Sequence, residues 1–231
     1  MTETLRQTAR SLFDAALRAA DPAPALRRAL AANPLSRPGP GGGWLLVAAG
    51  KAAVAMAAEA MTHLTDAPLR ALVVTNSENR RDLPGARVLV AGHPVPDANG
   101  AAAAADVSAL LAAAGPQDRV VALISGGGSA LLPAPASGLT LEDKAAVNRM
   151  LLANGFEITQ MNAVRQQLST LKGGGMLRLA APAPVAAFIL SDVIGDDLRV
   201  IASGPTVAPI GTRDSARALL QTGGVWDQVP A

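Results

Sequence analysis

The 231-residue chain has no cysteine and no tyrosine, and aromatic residues make up only 2% of it. Without cysteine there are no disulfides and no thiolate-held metals. That usage fits a reducing compartment such as the cytoplasm. With so few aromatics, the core has to be built from Ala, Val, Leu and Ile. Hydrophobic residues make up 50% of the chain, enough for one substantial core, alone or with a small appendage. Charge is also scarce, at 16% of residues with a net value of +2. The sequence pI near 9.7 reflects arginine and the lack of tyrosine and cysteine rather than a basic patch. No Lys/Arg run interleaves with aromatics, so nucleic-acid binding is not expected. No uninterrupted apolar stretch of about 18 residues occurs, so no membrane span is expected. Met1 to Arg10 carries polar and charged residues rather than an apolar signal core.

Lysine is rarer still. Lys51, Lys144 and Lys172 stand against seventeen arginines. Two of the three touch glycine, in Gly50-Lys51 and Lys172-Gly173-Gly174-Gly175. Lysine is a compact point charge suited to phosphate, which makes Lys51 and Lys172 site candidates.

What is abundant is a pattern. Apolar residues at helical spacing predict a helix over 5–20, and Asp21-Pro22 suits the start of a second helix reaching Ala32. Residues 33–43 read as a Pro/Gly loop. Strands are expected at 44–49, 70–75, 87–91, 119–124 and 184–190, and further helices at 51–65, 99–114, 140–154, 158–171 and 213–222. Strands alternating with helices argue for an α/β layered, Rossmann-like fold with a mostly parallel sheet flanked by helices. Ligands in such folds gather at the carboxyl ends of strands. Gly50-Lys51, Thr75-Asn76-Ser77, His93-Pro94, Ser125-Gly126 and Ser191-Asp192 each follow a predicted strand.

The run Ser125-Gly126-Gly127-Gly128-Ser129 is the most informative of these. Glycines without Cβ let the backbone turn sharply and offer several N–H groups to one anion. The alternative is a tight strand-to-helix turn. Lys51, where a helix is expected to begin, makes sense if its ammonium reaches forward to an anion; otherwise it is a solvated lysine. His93, in the proline-rich loop 92–97, suits substrate orientation or proton transfer, or a structural bond to a carbonyl. Asn162, Arg165 and Ser169 are spaced to share one face of a predicted helix. Arg165 could grip a carboxylate with two parallel hydrogen bonds, or the trio is an exposed polar stripe. Asp192 suits a general base or, with Asp196, a magnesium site; Asp196 and Asp197 also suit capping. No His/Cys metal spacing, Walker A loop or Gly-x-Ser-x-Gly elbow is present. Neither glycine cluster completes Gly-x-Gly-x-x-Gly, because Leu131 and Arg178 occupy the third glycine positions.

In series, these motifs resemble the two-domain glycerate 2-kinases, whose C-terminal half is called the MOFRL domain and whose members are often labelled hydroxypyruvate reductases. The matching stretches are 50–53, 92–97, 125–132, 162–165 with 168–169, 172–174, 191–197 and 203–206. The resemblance implies transfer of the ATP γ-phosphoryl group to the 2-hydroxyl of D-glycerate with Mg2+. It implies Lys51 as the catalytic lysine, and Asp192, read above as a general base, is the second catalytic candidate. Ser125, Gly126, Gly127, Gly128, Ser129, His93, Asn162, Arg165, Lys172 and Gly173 are expected to bind substrate or phosphate, and Asp192 and Asp196 metal. Residues 1–231 are expected to form the N-terminal kinase domain. The chain stops near where family members continue into the second domain, which would supply further active-site residues, including an arginine. That domain is the expected partner, and weak or no turnover is expected without it. Two positions depart from the family pattern. Gln160 stands where an acidic residue is usual and Gln167 where a histidine is. A non-catalytic module binding small acids or phosphosugars, and a hydroxypyruvate reductase, are the alternatives. A homodimer is compatible with the sequence.

Overall fold

The computed structural model describes residues 2–230. Five strands form one sheet: β1 (Trp44–Ala49), β2 (Leu69–Thr75), β3 (Arg87–Val90), β4 (Arg119–Ile124) and β5 (Val185–Ile189). All pairings are parallel, in the order β3-β2-β1-β4-β5. Every residue of β1 is buried, and β4 is buried from Val120 onward. This is why both read as continuous apolar runs rather than alternating ones: a central parallel strand is covered on both faces. The order in which successive strands join the sheet reverses between β1 and β4, the switch point where such folds open a crevice.

Nine α-helices accompany the sheet among the described residues: α1 (Thr2–Ala19), α2 (Pro22–Ala32), α3 (Ala53–Met61), α4 (Ala98–Ala112), α5 (Gly128–Leu131), α6 (Leu141–Ala153), α7 (Ile158–Gln167), α8 (Gly175–Ala180) and α9 (Arg213–Thr222). Local chemistry sets their ends. Asp21 accepts from the Ala23 amide and Pro22 opens α2. Asp97 accepts from the Gly100 amide at 2.8 Å to start α4. Thr140 and Asp143 cap α6 reciprocally. Gln160 does the same for α7, its side-chain oxygen accepting from the Glu157 amide at 2.9 Å.

The core has three parts. One face of the sheet packs Leu45, Val47 and Val120 against α4 and α8 residues such as Val107, Leu111 and Met176. The other packs Leu46, Val121 and Leu123 against α2 and α3 residues such as Leu26, Leu30, Met56 and Ala57. A third, smaller cluster joins α6, α7 and α9 through Val147, Leu151, Val164 and Leu220. No helix among the described residues is long and apolar enough to cross a membrane.

Two expectations need correction, and one expected helix forms without packing its apolar face. The helix expected over 158–171 ends at Gln167, so Ser169 leaves its face and instead bridges to Pro135. The helix expected over 51–65 is shorter, Ala53–Met61. The amphipathic helix at the N-terminus forms, but its apolar stripe does not pack. Leu5 is 67% exposed, Leu12 67%, Phe13 63% and Leu17 55%.

Candidate active site

Every strand delivers its following loop to one edge of the sheet, so the five polar segments expected at strand ends share that edge. At its centre the loop after β1 meets the loop after β4. The Lys51 amide donates to the Gly126 carbonyl at 2.9 Å, and the Ala52 amide donates to Ser125 Oγ at 3.1 Å. Gly50 is required here. It holds φ +130°, and a Cβ on it would lie 2.1 Å from Ser125 Oγ and 2.6 Å from the Ser125 carbonyl oxygen.

The glycines after Ser125 make room for side chains from three other strand ends. A Cβ on Gly126 would lie 2.1 Å from a carboxylate oxygen of Asp192, which follows β5. One on Gly127 (φ +87°) would sit 3.0 Å from His93 Cδ2, after β3, and 3.4 Å from Lys51 Cε, after β1. Lys51, His93 and Asp192 therefore surround the glycine turn. Among the described residues, the Gly126 and Gly127 amides donate to no other group, and the Lys51 ammonium has neither hydrogen bond nor ion pair. Free amides, a free ammonium and a histidine around one turn suit an anionic ligand. Asp192 lies against that same turn, and two anions held together call for a cation between them, so the donor set fits a magnesium ion brought with phosphate. Asp196 is exposed at φ +53°, while Asp197 is tied to Arg199 at 2.8 Å. No group of three or more metal-ligating side chains occurs among the described residues.

The remaining candidates lie deeper, toward α7 and α8. Ser129 Oγ is 3.0 Å from Ser203 Oγ, which donates to the buried Asn162 Oδ1 at 2.9 Å. Lys172 is 4% exposed, and its Nζ donates to the carbonyls of Ser129 at 2.9 Å and Leu132 at 3.2 Å. Gly173 is buried with φ +53° and donates to the Ser203 carbonyl at 3.1 Å. Arg165 donates from Nε to Asn148 Oδ1 at 2.8 Å and touches the same oxygen through its terminal nitrogen. Burial pushes the Lys172 ammonium well below its ordinary range, with Lys144 and Arg165 adding repulsion. The structure thus divides the candidates. Lys51, His93, Ser125, Gly126, Gly127 and Asp192 line one turn. Ser129, Asn162, Lys172 and Gly173 lie behind it, joined through Gly128 and Ser203.

Three nearby residues went unread in the sequence. Glu78 follows β2 near His93; a hydrogen bond from its own amide, then others from Ser77 and Asn76, hold its carboxyl below the usual range, and His93 adds attraction. Lys144 donates to the carbonyls of Pro133 and, at 3.0 Å, Leu168. Asn148 holds Arg165. The signal for Lys144 was its rarity, and for Asn148 its place one helical turn after Lys144. Gln167 donates to the Gly211 carbonyl at 3.0 Å and Gln160 caps α7, so both unusual glutamines have structural partners.

Residues 8–231 match the family model described as a domain of unknown function, DUF4147. The chain is 44% identical over 220 residues to an Agrobacterium vitis protein with a provisional hydroxypyruvate reductase name, covering 95% of this chain and 49% of that protein. It is 39% identical over 226 residues to the glycerate kinase of Mus musculus, covering 88% of this chain and 43% of the mouse protein. Among solved structures, the glycerate kinase of Thermotoga maritima superimposes with a TM-score of 0.88 at 34% identity, over 98% of this chain and 55% of that one. The chain spans about half the length of the curated relatives it matches.

Proposed function

Because the chain belongs to the DUF4147 family, the N-terminal domain of glycerate kinases, we propose that it serves phosphoryl transfer from ATP to the 2-hydroxyl of D-glycerate. The observation that carries this reading is the Gly126-Gly127 turn with unpaired amides, ringed by Lys51, His93 and Asp192. Phosphoryl transfer needs positioning and charge neutralisation more than covalent chemistry. The turn's amides take phosphate oxygens, and Lys51 neutralises charge that develops on them. His93 orients the acceptor. Asp192 either receives the hydroxyl proton or, with Asp196, holds magnesium. ATP supplies the phosphoryl group and Mg2+ the charge that screens it. Ser125 fixes the Lys51 loop; Gly128, Ser129, Asn162, Lys172 and Gly173 hold the turn from behind; Arg165 binds the acceptor's carboxylate or a phosphate. The bond from the γ-phosphorus to its bridging oxygen breaks, a bond to the glycerate 2-oxygen forms, and the products are 2-phosphoglycerate and ADP. We assign the second half found in the relatives as the partner that closes the open edge of this site, and place the reaction in the cytoplasm.

The test is phosphorus NMR of the purified chain with magnesium-ATP and D-glycerate. A parallel sample adds the separately expressed second half of the mouse relative. A 2-phosphoglycerate signal in either supports the reading. Silence in both, with the two pieces folded and associated, refutes it. The Agrobacterium relative's name favours a second reading, reduction of hydroxypyruvate. NADH consumption with hydroxypyruvate would support that one, against the incomplete Gly-x-Gly-x-x-Gly patterns.

A further inference from the structure

Three cations come together at the seam of α6, α7 and the loop leading to α8. Lys144 projects from α6, Arg165 from α7, and Lys172 from the loop. Among the described residues, each bonds only to neutral oxygens: Lys144 to the carbonyls of Pro133 and Leu168, Lys172 to those of Ser129 and Leu132, Arg165 to the Asn148 amide oxygen. None forms an ion pair among the described residues. Lys172 is buried, and Lys144 and Arg165 are half-buried. Buried charge is ordinarily paired, because desolvation is repaid only by an opposite charge in good geometry. Here the charges that Lys172 feels are Lys144 and Arg165, and the charge that Lys144 feels is Arg165. Among the described residues the cluster therefore lacks a counter-anion. It also retains unused donors: the second terminal nitrogen of Arg165, Nδ2 of Asn148, and one proton on each ammonium. Planar guanidinium and amide groups beside an ammonium match an oxyanion, whether carboxylate or phosphate.

We propose that Lys144 and Asn148 on α6, together with Arg165 on α7, seat one small oxyanion, with Lys172 supplying charge from behind. The inference deepens the proposed function, on which it rests, by adding two residues and stating what the seam recognises. It also sets a pH dependence. Burial, followed by repulsion from Arg165, lowers Lys144 to about 7. An oxyanion favours the charged form, so binding draws a proton onto Lys144 and weakens as pH rises through 7.

The experiment is calorimetric titration of the full chain, without ATP, with two probes that do not themselves titrate near neutrality. Sulfate stands in for phosphate, and D-glycerate presents a carboxylate. At least one probe is expected to bind, roughly tenfold more tightly at pH 6 than at pH 8. Whichever binds better identifies the source. Lys144→Met should weaken binding and flatten its pH profile. Lys144→Arg should restore binding but leave it flat, since arginine stays charged. That rescue separates charge from shape and remains informative where Lys144→Met fails to fold. Failure of both probes to bind, or a Lys144→Arg variant that keeps the wild-type pH profile, overturns the proposal. Binding is read without turnover, so silent phosphoryl transfer leaves it intact. Transfer that proceeds while both probes fail removes the seat but leaves the kinase reading standing.

Discussion

Lys51 and Lys172 both neighbour glycine, yet they live in opposite surroundings. Lys51 follows β1 at the open edge of the sheet, exposed, its ammonium without a partner among the described residues. Lys172 is buried, with two carbonyls on its ammonium. The first holds charge that a ligand can reach without disturbing the fold. The second stitches the end of α5 to the loop before α8, so its charge is inseparable from the fold. One lysine is built to meet a ligand directly, and the other to hold the fold in shape while lending charge from behind.

The sharpest way to break this contrast is to remove each lysine in turn. Lys51→Ala should lower phosphoryl transfer about 10²- to 10³-fold, as loss of a preorganised charge donor does. Its melting temperature should stay at the wild-type value in calorimetry. A large fall in stability would place Lys51 with Lys172. Conversely, Lys172→Met leaves the Ser129 and Leu132 carbonyls without that donor. A loss of about 1–3 kcal/mol in chemical denaturation is expected, whatever happens to activity. Unchanged stability would show that the buried ammonium is held for a ligand alone.

A smaller effect sharpens the comparison through pH. Lys144 titrates near 7 in the folded chain and near 10.5 when unfolded. Between those values the unfolded state binds more protons, so stability without ligand should rise from pH 7 toward pH 10. Lys144→Met should remove part of that rise, and urea midpoints across this range would measure it. Saturating sulfate should oppose it by favouring the charged form. A profile that falls with pH in the ligand-free chain would contradict the buried cation cluster.

The smallest effect concerns Glu59, on the far side of the β-sheet from that cluster. Hydrogen bonds from Arg27 and then His63 lower its carboxyl to about 2. Its stabilisation is present above the unfolded value near 4.5 and is lost as pH falls toward 2. Arg27 is 63% exposed, so solvent screens the pair and keeps its contribution small. Glu59→Gln should slightly flatten the acid limb of the stability curve, in calorimetry between pH 5 and pH 2.

The sheet was legible because its signal is local. Trp44–Ala49 and Arg119–Ile124 are short apolar runs closed by glycine or serine, and both strands have the predicted limits. The polar strand ends followed from them. The helices around the site were harder. Gly128–Leu131 and Gly175–Ala180 each begin with a glycine and follow a glycine at positive φ, Gly127 and Gly174, which by propensity read as turns, and tertiary packing makes them helical. Ser169 seemed to share a helix face with Arg165 because periodicity has no signal for where α7 stops. Lys144 and Asn148 were invisible as a pair with Arg165, since they meet only when α6 and α7 pack together. Spacing along one helix is written in the sequence; adjacency between two helices is not.

Returning to the N-terminal helix, its bare apolar stripe has a kinetic meaning. The amides of β1 and β4 are locked in a fully covered sheet and open only when the whole domain does. Those of α1 depend on a single helix of 18 residues, near the length at which a helix in water barely holds. In deuterated buffer α1 should take up label almost as fast as a free peptide, while the central strands stay dark for as long as the fold survives. Any surface that covers Leu12 and Phe13 will announce itself as a slowing of that uptake.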